Sequence, residues 1–106
     1  MNKYRAKKTT IDGITFDSKK EAARYAELKL MERGKAIKYL KLQPEFPIEV
    51  KDHKGDYVKI CTYKADFVYH EGDRLIVEDV KGVRTPVYKL KKKLVEALYG
   101  IEIIET

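Results

Sequence analysis

With a single cysteine, Cys61, the 106-residue chain has no internal disulfide. Cys61 lies in a β-rich run and reads as a small core residue, and so thiol-poor a chain fits a cytoplasmic setting. No apolar run approaches the ~20 residues that cross a bilayer, so no membrane span is expected. The opening MNKYRAKK is basic and lacks the apolar segment of a secretory signal. His53 and His70 stand apart with no partner at ligand spacing, which argues against zinc. No repeat and no low-complexity segment divides the chain, so residues 1–106 read as one domain. A domain of this size buries roughly 65% of its unfolded surface.

Charge is abundant. Lysine and arginine number 23 against 17 acids, a net charge of +6. That balance favours a polyanionic partner, nucleic acid first and an acidic membrane surface second. A well-solvated basic protein is the bland alternative.

Residues 1–10, with Lys3, Arg5, Lys7 and Lys8 around Tyr4, read as a mobile or half-ordered basic arm. Asp12-Gly13 signals a type I′ hairpin or a kinked lead-in to a helix. Ser18-x-x-Glu21 is a capping-box pattern. With strong helix formers behind it and Gly34 as a stop, it predicts a helix over 18–33. Short strands follow at 37–42 and around Phe46–Val50, with Pro47 demanding an edge position. A turn at 52–56 leads into a strand at 57–63 that runs on through 64–70. Glu71-Gly72-Asp73 turns the chain into a strand over 74–81. Thr85-Pro86 then opens a second helix. Val87, Leu90, Leu94, Ala97 and Leu98 form its apolar face, and Lys89, Lys92, Lys93 and Glu96 the other. Gly100 ends it, and residues 101–105 form a last strand that pairs in parallel through a βαβ crossover. The expected fold class is α/β or mixed α+β: a small mixed sheet flanked by two helices.

The chemistry concentrates in Tyr63–Gly82. Residues i and i+2 of a strand share a face, so Asp79 and Lys81 project together and Glu78 points away. A two-residue loop, Gly72-Asp73, sets Asp66 opposite Asp79, whereas a three-residue loop brings it level with Glu78. Pairing with Lys81 favours the two-residue loop. Hard carboxylate oxygens beside an amine suit phosphodiester hydrolysis. A Mg²⁺ ion needs only one or two carboxylates plus waters. It lowers the pKa of a bound water, and a nearby positive group stabilises charge on the phosphoryl oxygens. Glu21 has a competing role, because a capping-box glutamate reaches back to its own helix start. Tyr4, Tyr63 and Tyr69 suit base stacking, although core tyrosines are commoner.

Glu21, Asp66 and Asp79-Val80-Lys81, followed by a helix and a strand, resemble the PD-(D/E)XK nuclease superfamily. The stretches KYRAKK, DGITFDSKKEAARY, LQPEF and DVKG resemble a small phage-borne family of domains of unknown function. Phage endonucleases and Holliday-junction resolvases are similar in layout. The resemblance implies a restriction-endonuclease-like core of four to five strands. It implies that Asp66, Asp79 and the Val80 carbonyl hold Mg²⁺ or Mn²⁺, with Glu21 completing the shell directly or through water. Lys81 would orient or activate the attacking water. Gln43, Arg84, Lys91 and Lys92, with the basic arm, would meet DNA. Two departures stand out: Ala65 rather than proline precedes Asp66, and the second acid is Asp rather than Glu. The activity implied is metal-dependent endonucleolytic cleavage of DNA, branched or junction DNA above all, by a phage-encoded homodimer in the host cytoplasm. A non-catalytic DNA-binding module on the same fold is the alternative.

Overall fold

In the computed structural model, residues 8–81 and 83–106 are described. Lys3, Tyr4, Arg5 and Lys7 lie outside the described residues. Strand β1 (Thr9–Ile11) already begins at Thr9, so the arm expected over 1–10 is shorter at its C-terminal end. Asp12 and Gly13 both adopt positive φ, 54° and 76°, the pair that a type I′ turn requires. The chain therefore folds straight back into β2 (Ile14–Phe16), with Thr10 opposite Thr15.

Helix α1 (Lys19–Arg33) starts where its cap predicts. The Ser18 hydroxyl accepts the Glu21 N–H at 3.1 Å, and Gly34 closes the other end. Strands β3 (Lys38–Leu42), β6 (Phe67–Glu71), β7 (Arg74–Asp79) and β8 (Ile103–Glu105) form a mixed sheet in the order β3-β6-β7-β8. The first two pairings are antiparallel, and β7 pairs with β8 in parallel. Helix α2 (Pro86–Tyr99) makes the crossover between those parallel strands, with Thr85 as N-cap and Gly100 in the left-handed conformation as C-cap. The architecture is mixed α+β, as the order of sequence signals predicts. Among the described residues, no helix is long and apolar enough to cross a membrane.

Among the described residues, strands β4 (Glu45–Lys51) and β5 (Tyr57–Lys64) pair only with each other. Pro47, lacking an N–H, thus lies on an edge strand, where a missing donor costs no ladder bond. The strand expected to run unbroken from 57 to 70 instead breaks at Ala65-Asp66, and its halves join different sheets. Period-2 alternation then divides the core. Phe67, Tyr69 and Ile76 face α1, packing with Phe16, Tyr25 and Leu28. Val68 and Val77 face the opposite way, onto Tyr63, Tyr88, Val95 and Ile103. Each fully buried leucine or valine in these clusters contributes roughly 2 kcal/mol.

The orientation of α2 departs from the sequence expectation. The helix buries Tyr88 and Val95, while Val87 is 62% exposed and Leu90 61%, with Ala97 and Leu98 also exposed. The expected apolar face thus points largely to solvent. The physical reason is Tyr88: its ring packs inward while its hydroxyl donates to Glu105 at 2.8 Å, which turns the helix about a polar anchor. Cys61 is half-buried at the edge of the second cluster rather than within it.

Candidate metal and phosphate site

Two-residue turns set register in hairpins. Gly72-Asp73 is such a turn, since Glu71 pairs with Arg74, and the ladder then runs to Phe67 opposite Glu78. One step further along, Asp66 faces Asp79 on the α2 side of the sheet, while Glu78 points to the α1 side. The Asp66 backbone N–H donates to the Glu78 carbonyl at 3.1 Å. Its side-chain Oδ2 accepts the Val80 N–H at 2.7 Å. The two aspartates expected to share a face therefore do so.

Buried charge is concentrated at this end of the sheet. Among the described residues, the buried charged side chains are Glu21, Glu78 and Asp79, all acids. Glu78, 1% exposed, is balanced: Arg24 grips both its oxygens, and the Tyr69 hydroxyl donates to Oε2. Asp79, also 1% exposed, is less well served. The Tyr63 hydroxyl donates to Oδ2. Lys81 Nζ stands 3.1 Å from Oδ1, yet off the angle of a hydrogen bond, so Oδ1 is a buried oxygen without a donor among the described residues. Lys81 in turn lies over the Tyr88 ring, 4.3 Å from its centroid. Such a cation–π contact holds the ammonium in place without neutralising it.

Glu21 joins this group from the first turn of α1. That turn crosses the end of β7, with Arg24 on Glu78 and Lys20 Nζ donating to the Lys81 carbonyl at 3.2 Å. Burial raises the Glu21 carboxyl above its usual range. Hydrogen bonding to Asp66 and to the Asp17 backbone opposes the rise, and the charges of Asp17 and Asp79 add to it. Asp66 is pushed up to about 8, by burial first and then by hydrogen bonding to Asp79, against the pull of the Val80 N–H. Carboxyls this close cannot all ionise without a compensating cation.

The donor set suits a hard divalent cation: oxygen ligands only, one of them orphaned. Among the described residues, no three acidic or histidine side chains are placed to cage a metal ion together. Asp66 and Asp79, which share a face, form a carboxylate pair that could hold a Mg²⁺ ion alongside waters. Glu21 lies against this pair, hydrogen-bonded to Asp66.

The remaining expected residues scatter. Gln43 is exposed and adopts φ 51°, and its backbone N–H donates to the Asp66 carbonyl at 2.9 Å. Its backbone thus braces the site's strand. Lys91 Nζ donates to the Thr62 carbonyl at 3.4 Å. Arg84 Nε pairs with Glu105 at 2.9 Å, and Lys92 lies 4.0 Å from the same oxygen. Lys8 is exposed. Tyr63 and Tyr69 are buried, so neither presents a face for base stacking. Arg24, Tyr88 and Glu105 are not singled out by the sequence. The only advance signal for Arg24 is its helical spacing one turn beyond Glu21.

The sequence profile of one family matches residues 1–103. The chain belongs to the family described as Protein of unknown function (DUF1064). The match includes Glu21, Asp66, Asp79 and Lys81, so the whole carboxylate group lies inside the family's extent. No curated protein and no solved structure matches the chain.

Proposed function

We propose that this DUF1064 member is a metal-dependent DNA endonuclease of the PD-(D/E)XK type. One observation carries the reading: Glu21, Asp66 and Asp79 crowd together at a sheet end, with the Lys81 ammonium against Asp79. A binding module for a polyanion gains nothing from such a concentration of acid. A hydrolase that recruits a cation to screen a phosphate does.

Asp66 and Asp79 would hold Mg²⁺ or Mn²⁺, with the Val80 carbonyl beside them and Glu21 acting through water. The cation, when bound, supplies charge neutralisation at phosphorus and a more acidic water. The chain's own residues do the rest. Asp66 would lose its carboxyl proton to solvent on holding the ion. Tyr63 keeps Asp79 aimed by holding Oδ2, which leaves Oδ1 beside the Lys81 ammonium. Lys81, held over Tyr88, presents its ammonium to the attacking water and the phosphoryl oxygens. The water oxygen would bond to phosphorus in line as its proton passes to bulk solvent, and the opposite P–O bond would break, the leaving oxygen taking up a proton from solvent.

The net charge of +6 supports DNA as the substrate class. A domain this small covers few phosphates. This favours branched or junction DNA, a homodimer presenting two sites, and a role in phage recombination in the host cytoplasm. A non-catalytic DNA-binding module is the second reading, favoured by the lack of a three-acid cage among the described residues. Incubation with four-way, flap, duplex and single-stranded DNA, in Mg²⁺, Mn²⁺ or chelator, separates the two. Cutting that requires metal supports the nuclease. Binding without cutting on every substrate supports the module.

A further inference from the structure

Beside the carboxylates, between the outer side of α2 and the end of β8, lies a cavity of about 460 Å³. Arg84, Lys89, Lys92 and Lys93 line it with Glu96 and Glu105, and Leu90 forms an apolar wall. Both acids are occupied within the chain. Glu96 Oε2 accepts the Ile103 N–H at 2.9 Å. Glu105 accepts from Tyr88 at 2.8 Å and from Arg84 at 2.9 Å. Those bonds hold the Glu105 carboxyl below its usual range. Lys89 and Lys93 are exposed and have no acidic partner among the described residues. Four cations thus meet two committed carboxylates, and the groove is left with uncompensated positive charge.

Glu105 also ties the groove to the carboxylate site. Its Tyr88 partner is the ring on which the Lys81 ammonium rests. A strand whose scissile phosphate lies at Lys81 and which runs on past Tyr88 toward the outer side of α2 meets Lys89 and Lys93. Successive phosphates on one strand recur every ~3.4 Å of rise, so a strand cannot pass that region without bringing phosphates near the groove.

We propose that this groove is a second phosphodiester subsite, which binds the backbone of the DNA strand flanking the cleaved bond. Lys89 and Lys93 are its principal contacts, and Arg84 and Lys92 are held by Glu105 as its rim. The proposal rests on the nuclease reading for its substrate, but its test is a binding measurement made in chelator, where nothing is cut.

Lys89→Ala/Lys93→Ala protein should bind fluorescent DNA on the order of tenfold more weakly at 0.1 M salt. The slope of log affinity against log salt should fall by about 2, one counterion per lost contact. Lys89→Arg/Lys93→Arg should bind like the unaltered protein. Lys54→Ala/Lys59→Ala, with the same charge loss on the β4–β5 ribbon and outside the groove's lining, should change the slope by less. Equal losses from the two alanine pairs would overturn the subsite, since bulk charge would then explain binding. Pyrophosphate competition distinguishes the source. If Lys89 and Lys93 govern pyrophosphate affinity while DNA affinity is unmoved, the groove takes free phosphates and the proposal fails. Metal-dependent cutting with an unaltered slope would sink the subsite and leave the nuclease standing. A lysine-dependent slope without any cutting would do the reverse.

Discussion

Arg24 holds Glu78 by two parallel hydrogen bonds, Nε to Oε1 at 2.8 Å and Nη2 to Oε2 at 2.6 Å. The residues are 54 positions apart, and the bond clamps α1 to β7 one residue before Asp79. Glu78 is buried while the Arg24 side chain is 24% exposed, so the pair is only partly screened. Arg24→Leu leaves a buried carboxylate with Tyr69 alone. It should lower the unfolding free energy by about 3 kcal/mol in urea titration. Arg24→Leu/Glu78→Leu should recover most of that loss, because no orphan charge remains. A single-variant loss below about 1 kcal/mol would mean that the pair behaves as a surface one.

Among the described residues, Tyr63 is the one hydroxyl that donates to Asp79. Tyr63→Phe removes it from a carboxylate whose other oxygen already lacks a donor. Stability should fall by about 1–2 kcal/mol. Mg²⁺ affinity, read by calorimetric titration, should fall at least tenfold, as is typical when a ligand loses its outer support. Unchanged affinity would show that Asp79 needs no aiming.

Glu21 separates a cap from a metal-facing role. The cap itself uses the Glu21 backbone N–H on Ser18, so Glu21→Gln leaves it intact. Burial has raised the Glu21 carboxyl, which means that the fold disfavours its charge. The Gln variant should therefore match or exceed the original in thermal stability at neutral pH, while losing metal-dependent activity. Undiminished activity would leave Glu21 with a structural role only.

How much of this was readable beforehand follows from range. Asp79, Lys81 and the two-residue Gly72-Asp73 turn are local, and strand parity with loop length sets their geometry. The caps of both helices, at Ser18 and Thr85, are equally local and stand where their patterns place them. The rotation of α2 is not local. A hydropathy stripe ranks Val87 and Leu90 above Tyr88, but burial followed the residue whose hydroxyl could reach Glu105. Arg24 was hidden for a like reason: a helix pattern does not state which strand end its first turn will cross. The break at Ala65-Asp66 left no composition signal, because β5 and β6 are both β-rich.

The raised Asp66 carboxyl makes stability depend on pH. A group whose folded pKa exceeds its unfolded value binds protons more tightly when folded. Its contribution is then complete at low pH and lost as pH climbs. For Asp66 the window runs from its ordinary 3.8 to about 8. Chelator-treated protein should therefore lose stability across that range, and Asp66→Asn should flatten the curve. Mg²⁺ added near pH 7 should release protons from the original chain and fewer from Asp66→Asn, since ligands bind deprotonated. No proton release would mean that Asp66 does not meet the ion.

The most direct test of the site is cleavage of a labelled four-way junction by the unaltered chain and by Asp79→Ala protein, each with Mg²⁺ and with chelator. The account predicts strand cutting by the unaltered chain in Mg²⁺ alone, and a loss of at least a hundredfold in the variant, about 2.7 kcal/mol of transition-state stabilisation. Equal cutting by the two proteins, or cutting that survives chelation, would contradict it.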